Sequence, residues 1–158
     1  MSDNAIQPPT PHIGYDAFTA LAPDIASGLI GLGRAMGSPA LDPGIVELVR
    51  LRVSQINGCA FCLQHHLVIA RKLAVPAIKL DLLSTWRDAG VYTAREMAAF
   101  DWAEHLTRIA TTPVPDGAYA EVRRHFSENE IVRLSGAIAT INAWNRLATG
   151  FRFAPPGV

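Results

Sequence analysis

The two cysteines of the chain, Cys59 and Cys62, are separated by two residues, and His66 follows four residues after the second. On an α-helix these three side chains share one face, because residues three, four and seven apart lie together on its surface. The pair directly follows Asn57-Gly58, a dipeptide that ends a preceding helix. Free backbone N–H groups and the helix dipole at the start of the next helix favour a thiolate, the nucleophilic form of cysteine. The pattern therefore predicts a reactive dithiol with an imidazole beside it.

Glu47 lies twelve residues before Cys59, within an otherwise apolar helical segment. Antiparallel packing across the tight corner between the two helices would bring its carboxylate near the cysteines. A carboxylate in an apolar setting is costly unless it has a polar partner. We therefore predict that Glu47 relays protons to the thiols or to His66. For Glu47 taken alone, a salt bridge to Arg50 or to a neighbouring helix is the favoured alternative.

Two other interpretations of the cysteine pair remain open. Cys59, Cys62 and His66, with Glu47 as a fourth ligand, would suit zinc, but structural zinc sites usually draw ligands from two segments. Because no second cysteine pair exists, a dithiol is favoured over a metal site. The cysteines could also be inert core residues. The other histidines are interpreted as structural: His12, His65, His105 and His125.

The elements around this motif predict an all-α domain, a compact bundle of about seven or eight helices. Apolar residues recur at helical spacing from Ile13 onward, and no strand pattern is evident. Residues 1–12 contain three prolines and predict a flexible or extended arm, with a single domain over 13–158. We expect Gly150 to end the last helix. The predicted helices are 15–36 (divided at Pro23), 43–56, 59–72, 75–86, 93–109, 118–125 and 127–148.

Composition limits the classes of function. Hydrophobic residues make up 49% of the chain and charged residues 18%, which predicts a filled core and a face buried against further copies. The 14 basic and 14 acidic residues balance, so we expect neither nucleic acid nor membrane as a partner. Arg50/Arg52 and Arg123/Arg124 are interpreted as ordinary helix-surface pairs.

The sequence suggests neither a signal peptide nor a membrane span, so we expect a cytoplasmic protein. In the cytoplasm a cysteine pair is more often redox-active than structural.

The constellation Glu47, Cys59-x-x-Cys62 and His66 resembles the active-site signature of alkylhydroperoxidase D-like proteins, which belong to the carboxymuconolactone decarboxylase superfamily. The run 48–59, LVRLRVSQINGC, looks like that family's approach to the site. The run 139–147, ATINAWNRL, is similar to the last-helix motif of its single-domain, peroxidase-related branch. The resemblance extends over about 15–152.

The resemblance implies a helical bundle that assembles as a homo-oligomer, often a trimer or a hexamer. It implies that Cys62 attacks a hydroperoxide and that Cys59 resolves the product as a disulfide. Glu47 and His66 would relay protons. A dithiol reductant, such as a lipoyl-bearing protein, would reduce the disulfide, and neither a cofactor nor a metal would be required.

The sequence also departs from the family pattern. Phe61 stands where some peroxidase members carry a histidine, and His65 stands where many relatives have an apolar residue. The decarboxylase members generally lack the cysteine pair, so their chemistry is not favoured. A non-redox enzyme on the same fold and a dithiol sensor without turnover remain alternatives. Packing is preferred to substrate contact for four residues of the last helix: Asn142, Trp144, Asn145 and Arg146.

Overall fold

The computed structural model of the chain describes residues 10–37 and 41–157. Within them the structure is helical and contains no strand, which confirms the predicted all-α fold. The helices are α1 (Tyr15–Leu21), α2 (Pro23–Met36), α3 (Pro43–Asn57), α4 (Ala60–Lys72), α5 (Ala77–Asp81), a 3₁₀ helix (Leu83–Thr85), α6 (Ala94–Thr107), α7 (Asp116–His125) and α8 (Glu128–Phe151). No helix in the described ranges combines the length and apolar character needed to cross a membrane.

Helix α3 is the centre of the bundle and packs against α4, α6 and α8. As its apolar residues cover most of its circumference, more than half of its side chains are buried. The carboxylate of Asp42 caps its start by accepting hydrogen bonds from the N–H groups of Gly44 (2.7 Å) and Ile45 (3.2 Å). Pro43 occupies the first helical turn, where its missing N–H costs nothing. This central position places Glu47 inside the protein.

A glycine turn joins α3 to α4 and reverses the chain direction. Gly58 has a φ of 65°, which is the left-handed conformation that glycine adopts without strain. The N–H of Cys59 donates to the carbonyl of Ser54 (3.0 Å) and the N–H of Gly58 to that of Gln55 (3.3 Å), which closes the helix end. Cys59 then acts as the N-cap of α4. The dithiol is therefore held at the start of a helix, as the sequence predicts.

Buried polar side chains attach this corner to α8. The Asn57 side-chain amide donates to the side-chain oxygens of Asn142 and Asn145, each at 2.9 Å. Asn145 in turn donates to the hydroxyl of Ser54 (3.2 Å), and Asn142 donates to that of Thr107 (3.2 Å). Because buried polar groups are costly when unpaired, this network specifies how α8 lies against the α3–α4 corner.

Capping boxes are present at Thr93–Glu96 and Ser127–Glu130, where a Thr or Ser is followed by Glu three residues later. The prediction that Gly150 ends the last helix is wrong, because α8 continues to Phe151. Arg152 ends it in the left-handed conformation, and the N–H of Phe153 donates back to the carbonyl of Ala148 (2.9 Å). The side chain of Phe153 is buried, so hydrophobic packing determines where this helix stops.

Two further helix bounds differ from the sequence prediction. The segment 75–86 is not one helix, because α5 ends at Asp81 and a 3₁₀ helix follows. The tighter winding brings Leu83 and Trp86, three residues apart, to the same side, and both are buried. Helix α6 ends at Thr107, two residues before the predicted Ile109.

The first two helices pack more loosely than the rest. In α2 only Ala26 is buried, and the helix packs against α1 and α8. Most of the predicted arm, 1–12, lies outside the described residues; at its end the N–H of His12 donates to the carbonyl of Phe151 (3.0 Å). Since α2 stands away from α3 and α4, an apolar cavity lies between them.

Candidate active site

The sulfur atoms of Cys59 and Cys62 are bonded to each other, with the Cα atoms 5.4 Å apart. Both residues are 3% exposed. The backbone N–H of Cys62 donates to the sulfur of Cys59 (3.2 Å), since Cys59 is the N-cap of α4. An N–H group aimed at this sulfur stabilises negative charge on it. The local fold therefore allows both a disulfide and a stabilised thiolate.

Glu47 and His66 form a buried hydrogen-bonded pair across α3 and α4. One carboxylate oxygen of Glu47 lies 2.7 Å from Nδ1 of His66, and the other accepts a hydrogen bond from Arg50 at 2.6 Å. At 1.5 Å of rise per residue, Glu47 lies about 16 Å before Gly58 and His66 about 12 Å after it. The two residues therefore face each other at similar levels of an antiparallel helix pair. The structure shows both expected partners of Glu47: Arg50, through a salt bridge, and His66, through a hydrogen bond.

The partners of Glu47 also determine its charge. Burial raises the pKa of the Glu47 carboxyl, but the hydrogen bond from His66 and the positive charges of His66 and Arg50 outweigh it, so the pKa is lowered. Glu47 is therefore a carboxylate at neutral pH. A carboxylate at Nδ1 of His66 holds the proton on that nitrogen and leaves Nε2 for exchange with another group.

The cavity has a volume of about 1310 Å³, and Cys62 lies in its wall. Cys59 is absent from that wall and lies behind Cys62. Helices α3 and α4 thus bring three of the four predicted site residues to one cavity and leave the fourth within reach of Cys62. The polar lining residues that α3 and α4 contribute are Glu47, Arg50, Cys62, His65 and His66.

Aromatic side chains form another part of the wall. The ring of Phe61, between the two cysteines, lies 5.2 Å from that of Tyr15 and 5.3 Å from that of Phe153. Trp144 of α8 also lines the cavity, and its ring lies 6.4 Å from that of Tyr15. These rings come from distant parts of the chain, so the apolar wall beside the dithiol exists only in the folded protein.

His65 differs from its interpretation as a purely structural residue. It lines the same cavity as Cys62, and its ring stacks parallel to that of Phe61 at 6.4 Å. The ring of His66 lies edge-on to it at 5.0 Å. Burial and the positive charge of His66 lower the pKa of His65, so it is a neutral imidazole at neutral pH. The spacing in the sequence indicated this contact, because His65 lies four residues after Phe61 and the two side chains share one helix face.

Comparison with known proteins identifies the family. The family model described as "Carboxymuconolactone decarboxylase family" matches residues 23–105, which contain Glu47, Cys59, Cys62 and His66. This protein belongs to the carboxymuconolactone decarboxylase family. It is 41% identical over 102 residues to the uncharacterized protein YdfG of Bacillus subtilis, covering 65% of this chain and 69% of YdfG.

Solved structures of similar proteins share the fold of this carboxymuconolactone decarboxylase family member. One is a protein of unknown function from Agrobacterium tumefaciens, which is described with reference to the antioxidant defence protein AhpD. It is 36% identical, and the two structures superpose with a TM-score of 0.88 over 94% of this chain and 100% of its own. An uncharacterized peroxidase-related protein from Silicibacter sp. TM1040 is 21% identical, with a TM-score of 0.79 over 89% of this chain and 75% of its own. The predicted superfamily and its alkylhydroperoxidase D-like fold are thereby confirmed.

The conspicuous residues of the last helix divide into two groups in this family member. Asn142 and Asn145 are buried in the hydrogen-bond network behind the cysteines, which agrees with the packing interpretation. Arg146 is exposed and donates to the backbone carbonyl of Asn142 (2.9 Å). Trp144 is half-buried: its ring packs edge-on against that of buried Phe18 at 6.1 Å, and the residue also lines the cavity.

A second buried carboxylate lies outside the cavity. Glu104 of α6 accepts hydrogen bonds from Arg52 (2.8 Å), Trp86 (2.9 Å), Arg87 (3.0 Å) and Arg108 (2.9 Å). Burial raises its pKa, but these hydrogen bonds, led by that from Trp86, lower it to about 2.

The prediction that Arg50 and Arg52 form an ordinary surface pair is wrong. Each is largely buried and paired with a buried carboxylate, Arg50 with Glu47 and Arg52 with Glu104. Within residues 10–37 and 41–157, no three side chains of the His, Cys, Asp and Glu types are grouped to hold a common metal ion.

Proposed function

We propose that this protein is a thiol-dependent peroxidase that reduces organic hydroperoxides through Cys59 and Cys62, with Glu47 and His66 as its proton relay. The observation that carries the proposal is the position of Cys62 in the cavity wall, together with the hydrogen-bonded Glu47–His66 pair. Similarity to the Agrobacterium tumefaciens protein, which is described with reference to antioxidant defence, supports the proposal.

In the first step, the Cys62 thiolate attacks the terminal oxygen of the hydroperoxide. A sulfur–oxygen bond forms and the oxygen–oxygen bond breaks, so that Cys62 is oxidised to a sulfenic acid. The departing alkoxide takes a proton from Nε2 of His66 and leaves as an alcohol. The Glu47 carboxylate at Nδ1 orients the ring and stabilises the imidazolium that supplies this proton.

In the second step, the thiol of Cys59 attacks the sulfenic sulfur of Cys62. A disulfide forms, and the oxygen leaves as water. The assignment of roles follows from access, because Cys62 lines the cavity and Cys59 does not. One thiolate of a dithiol reductant then attacks Cys62, and Cys59 departs as a thiolate that accepts the N–H of Cys62. The second thiol of the reductant attacks its own sulfur in this mixed disulfide, so Cys62 leaves as a thiolate and the reductant ends as a disulfide.

The partners belong to the same proposal. A lipoyl-bearing protein would suit as reductant, because its dithiol stands at the end of a long flexible arm that can enter a cavity. A homo-oligomer, trimer or hexamer, is supported by the apolar side chains that α2 leaves exposed, Ile25 at 52% and Leu32 at 44%. We place the reaction in the cytoplasm, where thiols stay reduced.

The decisive experiment follows peroxide consumption and free thiols together, with cumene hydroperoxide as substrate and dihydrolipoamide as reductant. Wild-type protein is expected to lose two thiols with one equivalent of peroxide and then to turn over. Cys62→Ser should leave the peroxide untouched. Cys59→Ser should react once and stop, because the sulfenic acid has no resolving partner.

Ala60→Ser is the matched control, since Ala60 is an exposed residue between the two cysteines. It should retain wild-type turnover. Full peroxide consumption by Cys62→Ser would contradict the proposal. Activity on a carbonyl substrate that survives replacement of both cysteines would point to a non-redox enzyme, and disulfide formation without turnover would point to a sensor.

A further inference from the structure

The cavity beside Cys62 is much larger than a small peroxide requires. Sites for drug-sized ligands commonly have volumes of about 300–1,000 Å³, and this cavity has about 1310 Å³. Resting on the proposed function, we propose that the substrate is a long-chain fatty acid hydroperoxide, whose acyl chain lies along the cavity and whose carboxylate binds Arg34.

The composition of the wall favours an acyl chain. Aliphatic side chains of four helices face the cavity: Leu29 and Ile30 from α2, Val46 from α3, Ile69 from α4 and Ile141 from α8. Ile30 remains 37% exposed, although it lines an apolar cavity. Covering such side chains with an apolar ligand is favourable because it removes their surface from water. Hydrogen peroxide would cover almost none of this surface.

The charges at the cavity favour an anionic end on that ligand. Three arginines line it, and two are already engaged: Arg50 with Glu47 and Arg95 with Glu130. Arg34 is exposed, and no carboxylate of the described residues lies within salt-bridge distance of it. The acidic lining groups are Glu47, which already accepts from His66 and Arg50, and Asp42, whose Oδ1 caps α3. Arg34 is therefore the lining cation best placed to bind a carboxylate.

The position of the reacting group agrees with this orientation. Arg34 lies near the C-terminal end of α2, whereas Cys62 lies in the first turn of α4, and both line the same cavity. A hydroperoxide group part-way along the acyl chain can reach Cys62 while the carboxylate stays at Arg34. The reaction then yields the hydroxy fatty acid as the alcohol product, by the steps given for the proposed function.

The first test is binding without chemistry. Linoleic acid, used below its critical micelle concentration, is titrated into Cys62→Ser protein, and binding is followed by calorimetry. Leu29→Trp, which fills the cavity from the loosely packed α2, should weaken binding by about tenfold or more. Val132→Trp adds the same side chain at an apolar position that is 69% exposed on α8 and should leave binding unchanged.

The second test is turnover with four peroxides: linoleic acid hydroperoxide, its methyl ester, cumene hydroperoxide and hydrogen peroxide. The fatty acid hydroperoxide should have the highest kcat/KM. Arg34→Gln should raise its KM by about tenfold, with little effect on the methyl ester, because the lost interaction is an ion pair with the carboxylate. Arg71→Gln, an exposed arginine of α4, is the matched control.

The outcomes separate this inference from the proposed function. If linoleic acid fails to bind, the peroxidase stands and the proposed substrate class is wrong. The same conclusion follows if the four peroxides have equal kcat/KM values in the wild type and these values do not change in Leu29→Trp. If no peroxide is consumed at all, the proposed function is wrong and the substrate inference falls with it. Equal effects of Arg34→Gln on the acid and its methyl ester would overturn the role of Arg34.

Discussion

Glu47 shows how a single side chain can connect the packing of the helices to the chemistry of the site. Its carboxylate is buried in α3, yet both oxygens have partners, Arg50 on one and His66 on the other. Arg50 also reaches the carbonyl of Gly33 in α2 (3.4 Å). A charge in the interior is tolerated only when it is paired in this way.

Replacing Glu47 by Gln should lower kcat/KM for hydroperoxides by about a hundredfold or more, the range of an acid–base contribution. An amide has nearly the same shape, but it cannot stabilise an imidazolium at His66 by charge. The pKa of Glu47 is below its ordinary value of 4.5, so wild-type activity that depends on the carboxylate should be lost only as the pH falls below that value. The measurement is a pH profile of kcat/KM for both proteins, with Glu104→Gln as a buried control outside the cavity. An unchanged rate in Glu47→Gln would contradict the proton relay.

At the scale of the elements, the corner between α3 and α4 determines where the dithiol lies. Gly58 turns the chain in the left-handed conformation, and Asn57 holds the corner to α8 through two hydrogen bonds. Cys59 follows directly as the N-cap of α4. A change in the backbone at Gly58 therefore acts on both stability and the position of the cysteines.

Gly58→Ala should lower the free energy of unfolding by about 1–2 kcal/mol, because a Cβ is strained in the left-handed region. A Cβ at Gly58 meets no atom within 4 Å, so this cost comes from the backbone conformation and not from a clash. Gly31→Ala should have the opposite sign and stabilise by roughly 0.5–1 kcal/mol, since Gly31 lies within α2 with open space around it. Urea denaturation of both variants, with all thiols reduced, measures the difference. Equal shifts in the same direction would show that backbone conformation is not the cause.

At the scale of the whole molecule, Glu104 joins parts of the chain that are far apart in sequence. Its carboxylate binds Arg52 of α3, Arg87 and Trp86 beyond the 3₁₀ helix, and Arg108 at the end of its own helix. Arg87 also contacts Asp101 (2.8 Å). This cluster lies outside the cavity, so it supports the bundle and not the reaction.

Glu104→Gln should therefore destabilise the protein by about 3 kcal/mol at neutral pH and leave the kcat/KM of the folded protein unchanged. The folded-state pKa of about 2 lies below the ordinary value of 4.5. The stabilisation from the charge is consequently complete above about pH 4.5 and is lost as the pH falls towards 2. Denaturation of wild type and variant between pH 7 and pH 3 measures this, and the difference between them should shrink with acidity. A difference independent of pH would argue against the charged cluster as its source.

The sequence by itself determined the features that depend on one helix or one turn. Three side chains separated by three and four residues, Cys59, Cys62 and His66, must share a helix face wherever that helix lies. The Asn57-Gly58 corner and the two capping boxes are equally local, because each satisfies its own backbone groups. The resemblance carried by Glu47 and the cysteine motif then predicted the family, which the comparisons confirm.

The tertiary structure alone decided the contacts made between helices. It selects His66 over the thiols as the predicted relay partner that Glu47 contacts, brings Arg52 to Glu104, and places His65 and Trp144 on the cavity wall. It also forms the cavity itself, because α2 packs on α8 and stands away from α3 and α4. Hydrophobic periodicity predicts which face of a helix is buried. It predicts neither the helix that this face packs against nor how far the two helices are shifted along each other. Those choices depend on how all the side chains fill the interior together, and no local pattern records them.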